Sequence, residues 1–231
     1  MTTGNGNTGR RALLKLGSAG AAVLAVPAWA RDAAKPRPAE TVSAPEDLMR
    51  EHAVLGRLML VYENGLRRLN HGEDIDPAVF GRSAEIVQAF THDYHQKAEE
   101  ELIFPVFRKG GRMVDLLNVL TAQHEAGRRL TQRIAAAAPQ ARVSERREAM
   151  GRDIQAFVAM YRPHEAHEST DLFPTLRQLV TDAQYWDLAE EMEKREHRTF
   201  GADGFEKVVK KVAEIEALIG IKAIDVFTPR G

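Results

Sequence analysis

The chain of 231 residues is 44% hydrophobic but only 6% aromatic, which fits one globular domain with a sizeable core plus extensions and gives no sign of a fibre or membrane class. Its formal net charge of −1 falls to −4 if Arg10, Arg11 and Lys15 leave with an N-terminal leader, so there is no electrostatic ground for binding nucleic acid. The absence of cysteine excludes disulfides, thiolate catalysis, iron–sulfur clusters and a lipoprotein anchor, leaving nitrogen and oxygen as the donors for any metal.

Residues 1–30 carry the parts of a twin-arginine export signal in order: Arg10-Arg11, a mildly apolar Ala/Gly-rich stretch, and Ala28-Trp29-Ala30 as a small-x-small cleavage site. The apolar stretch is too short and too rich in glycine for a membrane span of about 20 residues, so no stable membrane anchor is expected. The partner implied is the twin-arginine translocation machinery, and the mature protein is expected to be periplasmic or otherwise extracytoplasmic. Residues 31–45, with Pro36, Pro38 and Pro45 among small and charged residues, form a linker.

Almost everything beyond Pro45 has helical period and no strand-like alternation. A first helix over residues 46–70 places Leu48, His52, Leu55, Met59 and Tyr62 on one stripe. Asp76-Pro77 opens a second, which runs to about residue 108, aligns Ala84, Thr91, His95, Glu99 and Leu102, and stops at Gly110-Gly111. A third helix over residues 113–138 carries Leu117, Leu120, His124 and Gly127 on one side and is closed by Pro139. In a fourth over residues 144–178, Phe157, His164, Glu168 and Leu172 are in register, and Pro163 is expected to kink the rod just before the ligands. Short connections make residues 46–180 an all-α, up-down-up-down four-helix bundle. Residues 181–231 add a C-terminal helical extension, with helices near 183–197 and 204–219.

The chemistry resides in a repeat. His95, Glu99, Phe104 and Pro105 form a His-x3-Glu-x4-Phe-Pro pattern that returns 69 residues later as His164, Glu168, Phe173 and Pro174. A lone histidine precedes each copy in a matching frame, His52 between Leu48 and Leu58 and His124 between Leu120 and Leu130. Residues four apart share a helix face, so each copy aims an imidazole and a carboxylate at one point. Six such groups converging on a core carry a heavy desolvation cost unless something satisfies them. Four imidazoles and two carboxylates suit two iron-sized ions, and exceed what tetrahedral zinc requires.

These residues, with Asp47-Leu48-Met49-Arg50-Glu51-His52 and Gln123-His124-Glu125-Ala126-Gly127-Arg128, resemble the hemerythrin-like, or HHE cation-binding, family over residues 46–180. The resemblance implies a non-haem, oxo- or hydroxo-bridged pair of iron ions, with His52, His95, His124 and His164 as terminal ligands and Glu99 and Glu168 bridging. Oxygen-carrying hemerythrins place a further histidine four residues after the first on the third helix; here that residue is Arg128. His92, Tyr161 and His197 stand as further ligands or as groups supporting the ligands, while His71 and His167 read as solvated neighbours. Glu100, Glu101 and Glu165 read as solvated faces or hydrogen-bond partners of ligand imidazoles. The functions implied are binding or sensing of dioxygen or nitric oxide, or decomposition of peroxide in a catalase- or peroxidase-like manner. Iron storage or handling is a third reading.

Overall fold

A computed structural model describes residues 42–229 of the chain. The expected leader, and the linker as far as residue 41, lie outside the described residues. No strand occurs among the described residues, and the regular structure is helical, consistent with the helical bundle that the resemblance implies.

Helix α1 spans Ala44–Asn70, with the Ser43 hydroxyl accepting from the Glu46 amide and Pro45 in the first turn, where its missing N–H costs nothing. The expected second helix is a composite: α2 (Ala78–Ile86), a π-helical stretch (Val87–Gln96), a second π stretch (Glu99–Ile103) and α3 (Phe104–Gly110), which Gly111 ends at φ 60. Helix α4 covers Val114–Ala137 and α5 covers Ser144–His167. A third π stretch (Glu168–Leu172) leads into α6 (Phe173–Leu179). Thr181 and Gln184 form a reciprocal capping box at the start of α7 (Asp182–Phe200), and α8 runs over Gly204–Leu218.

The π irregularity in the fourth rod lies beyond Pro163. Helix α5 passes through Pro163 unbroken. Both Pro163 and Ala159, whose carbonyl loses its donor, are exposed, so water can satisfy what the proline leaves open. The breaks fall instead before Pro105 and Pro174. There the amides of Phe104 and Phe173 donate five residues back, to the carbonyls of Glu99 and Glu168. A proline cannot donate to its own i−4 carbonyl and its ring crowds that group. The widened turn before each Phe-Pro accommodates this, and it falls on the two carboxylates that the repeat singles out.

Two apolar clusters lie on either side of a polar layer. One gathers Leu58, Tyr62, Phe80, Phe90, Ile134 and Phe157 with Val208, Val212 and Ile215 of α8. The other gathers Leu48, Phe104, Phe107, Leu120, Phe173 and Leu176 with Ala189 and Met192 of α7. The C-terminal helices therefore complete both cores. Helix α8 is also clamped to α1, where Arg57 donates to both oxygens of Glu216 at 2.8 and 2.6 Å.

Candidate metal centre

Between the two clusters lie His52, His95, Glu99, His124, His164 and Glu168, all between 0 and 7% exposed. His52, His95 and Glu99 form one group whose donor atoms lie within 4.8 Å of one another, and His124, His164 and Glu168 form a second. The ring pairs are nearly superimposable by the internal repeat: His52–His95 centroids are 4.9 Å apart at 59°, His124–His164 5.0 Å apart at 57°. The carboxylates link the groups. Glu99 directs Oε1 to His95 Nε2 at 3.6 Å and Oε2 to His124 Nε2 at 3.5 Å. Glu168 Oε2 lies 3.3 Å from His52 Nε2 and 3.2 Å from His164 Nε2. Each carboxylate thus touches one imidazole from each group.

Every imidazole presents Nε2 to this space and Nδ1 to a partner outside it. His95 pairs with Glu51 Oε2 at 2.6 Å, His124 with Glu100 Oε1 at 2.8 Å, His164 with Gln123 Oε1 at 2.8 Å and His52 with Ser169 Oγ at 3.1 Å. When Nδ1 donates to these oxygens, the Nε2 lone pairs face inward, which is the tautomer a metal ligand needs. The phenylalanine of each Phe-Pro pair stacks on the lone histidine of the opposite half: Phe104 on His124 at 5.7 Å and 18°, Phe173 on His52 at 5.5 Å and 26°. The motif therefore orients a ring as well as shaping the backbone.

Inside the layer both oxygens of Glu99 and of Glu168, together with Nε2 of His52 and of His124, make no hydrogen bond. Buried polar atoms are nearly always paired, and several unpaired ones facing a single point indicate a missing partner. Burial, then the Glu168 charge, raises the Glu99 carboxyl well above its ordinary range. Burial works to raise Glu168 too, yet the His164 and His52 imidazoles hold it below the usual carboxylate range. Two anions this close cannot both be sustained in a dry layer without a cation. Burial also pushes His95 down to about 4 and Glu51 up to about 8. The donor set fits a pair of metal ions with nitrogen and oxygen ligands.

The remaining candidates are placed elsewhere. His92 spends both ring nitrogens at 2.9 Å, on Gln96 Oε1 and on the Thr131 hydroxyl. The Tyr161 hydroxyl accepts from Gln96 Nε2 at 2.9 Å. His92 and Tyr161 thus belong to a buried network beside the centre. His197 is exposed on a surface cleft and does not close the layer, because α7 turns it away from the face that carries Ala189 and Met192. His71 and His167 are exposed, bonded to the Arg67 carbonyl and to Asp171 at 2.7 Å each. Glu101 pairs at the surface with Arg195 at 2.9 Å. Glu165 has a buried oxygen without a hydrogen bond, and burial followed by the Glu168 charge pushes it up to about 8. Arg128 leaves no gap at its position: it donates to Glu100 Oε1 at 2.8 Å, on the same carboxylate that holds His124.

Sequence reasoning missed Glu51, Gln123 and Ser169 as the groups that aim the rings. A signal was present, because Glu51 and Gln123 occupy the same place in the repeat, immediately before each lone histidine.

Residues 43–176 match the family described as the hemerythrin HHE cation binding domain, a span that includes all six converging residues. The chain is also similar to an uncharacterized protein of Mycobacterium tuberculosis and to one of Mycobacterium bovis. Each is 40% identical over 232 residues, covering 96% of this chain and 91% of the relative. No solved structure matches significantly.

Proposed function

Because this chain belongs to the hemerythrin HHE cation-binding family, we propose that its polar layer holds two non-haem iron ions which react with a small oxidant. Four rods, α1, α2 to α3, α4 and α5 to α6, supply the layer as an up-down-up-down bundle. His52 and His95 would hold one ion and His124 and His164 the other, with Glu99 and Glu168 shared between them. The observation that carries this reading is the convergence of inward-facing Nε2 atoms on two buried carboxylates whose four oxygens lack hydrogen-bond partners.

Such a pair, when bound, supplies electrons and an exchangeable coordination position. The protein's own part is to fix the ligands and exclude bulk water. Glu51, Glu100, Gln123 and Ser169 lock ring orientation, and Phe104 and Phe173 wall the layer, so only small molecules such as dioxygen, peroxide or nitric oxide fit the chemistry. Arg128 stands where carriers have a further histidine and is engaged with Glu100, so it would supply no ligand there. That favours oxidation of the reduced pair and consumption of peroxide over reversible carriage of dioxygen. Export by the twin-arginine route places this chemistry outside the cytoplasm, after metal has been loaded within it.

The purified mature protein should contain about two irons per chain. His95→Ala and Glu168→Ala should lose most of that iron and His71→Ala should keep it; equal retention in all three would refute the site. Anaerobic reduction, followed by separate exposure to oxygen and to peroxide, then distinguishes the functions. Repeated reversible oxygenation without peroxide loss would establish a carrier, and inertness to both would leave iron storage or handling.

A further inference from the structure

The polar layer is closed by apolar clusters on two sides, so an ion must reach it between side chains. A cleft of about 920 Å³ opens between α1, α7 and α8, lined by Asp47, Glu193, Glu196, His197 and Glu206. The basic groups beside it are engaged: Arg198 with Glu191 at 2.8 Å, and Arg50 over the Phe205 ring at 4.4 Å and near Asp47 at 3.6 Å. Asp47 and Glu51 lie one helical turn apart on the same face of α1. Side-chain exposure falls from 15% at Asp47 to 1% at Glu51, and Glu51 touches His95 at 2.6 Å. The carboxyls therefore form a file that leads from open water to a candidate ligand.

Electrostatics links the same groups. Burial, followed by the charges of Glu51, Glu196 and Glu193, pushes Asp47 up to about 7. A second observation concerns the same acid: the Tyr94 hydroxyl, on a residue 1% exposed, lies against Glu51 without a hydrogen bond of good geometry. The path ends at Glu99, fully buried and without hydrogen bonds on either oxygen. Carboxyl and hydroxyl oxygens in succession suit a passing cation, which gains oxygen neighbours as it loses water.

We propose that Glu193, Glu196, Asp47 and Glu51 form the entry route by which a divalent transition-metal cation passes from this cleft to His95 and Glu99, an inference that rests on the metal reading above. The route acts on the rate of loading and not on the final affinity, because its acids outside the layer are not ligands of the bound state. Its end at imidazole and carboxylate selects a cation of the iron class over a hard, oxygen-only ion.

The test uses the full mature chain, stripped of metal, mixed anaerobically with ferrous iron, with uptake followed against a ferrous chromogenic chelator. Glu193→Gln and Asp47→Asn preserve shape while removing charge, and Glu63→Gln on the opposite side of α1 serves as a control. The acidic-file variants should load roughly fivefold or more slowly, within the range of electrostatic steering. Release to the chelator should slow by the same factor, with unchanged iron content at equilibrium. Uptake as fast as in the wild type would overturn the route, as would a lowered final iron content at unaltered uptake rate. A wild-type chain that takes up no iron would overturn the metal reading itself, an outcome distinct from either.

Discussion

Helix α4 passes close to the Tyr161 ring of α5 at Gly127, and an added methyl group there provides a direct test of the packing beside the polar layer. A Cβ at Gly127 would lie 1.8 Å from the Tyr161 hydroxyl oxygen, 2.6 Å from Cζ and 2.9 Å from Cε2. Comfortable contact needs about 3.5 Å or more, so the ring would have to retreat by well over about 1 Å. It has little room: Phe157 lies 4.5 Å away between centroids and His164 5.4 Å away, while Gln96 holds the hydroxyl at 2.9 Å. Overpacking of this kind costs about 1–3 kcal/mol, and losing the Gln96 bond about 1 kcal/mol. Replacing a mid-helix glycine returns about 0.5–1 kcal/mol. For Gly127→Ala we expect a net loss of about 2 kcal/mol, or about 4–8 °C in Tm for a domain of this size. Urea titration and thermal melting of the metal-free protein would measure it. Adding Tyr161→Phe should restore part of the loss, since it deletes the 1.8 Å contact and leaves Cζ too close. A Gly127→Ala protein as stable as the wild type would show that the ring moves freely and that this contact does not set the helix approach.

Removing metal should lower stability by about 3 kcal/mol or more, the linkage expected when free ion exceeds Kd about a hundredfold; a melting curve unchanged after verified chelation would refute the buried centre. The metal-free protein should also lose stability between about pH 6.5 and 8.5. Above the ordinary imidazole range, the titrating groups include Asp47, Glu51 and Glu165, pushed up to about 7, 8 and 8 by burial. Their folded forms hold protons that the unfolded chain has already released, so stability falls as pH rises through the folded values, by roughly 2–4 kcal/mol in all. Stability that is flat or rising over that window, measured by urea titration, would contradict it. Replacing Arg10-Arg11 with Lys-Lys should trap the precursor inside the cell while leaving it folded, which cell fractionation would reveal.

The His/Glu repeat was legible because each histidine–glutamate pair is local, four residues apart on one helix, and helical period alone brings such residues to one face. The all-helical class and most helix ends were legible for the same reason. The π turns at Glu99 and Glu168 were not, since a pattern read at 3.6 residues per turn assumes the regularity that they break. Phe-Pro was visible as a marker, but its effect on the preceding carbonyls depends on backbone geometry. The anchoring of α8 by Arg57 and Glu216 joins residues 159 positions apart, a separation over which periodicity carries no information.

The sandwich of a polar layer between two apolar clusters has a mechanical consequence. Cohesion in a helical bundle is distributed along its length, and here it is interrupted at one level, where the facing groups are acids and imidazoles that gain little from proximity to one another. Without an ion, that level is the weak cross-section, and the rods can separate there while both clusters remain packed. Amide protons near His95 and His164 would then exchange through small local openings, and those near Phe80 and Phe107 through larger ones. With ions in place the order reverses, and the seam becomes the rivet that joins residues from four separate rods in a chain that has no cysteine to cross-link them.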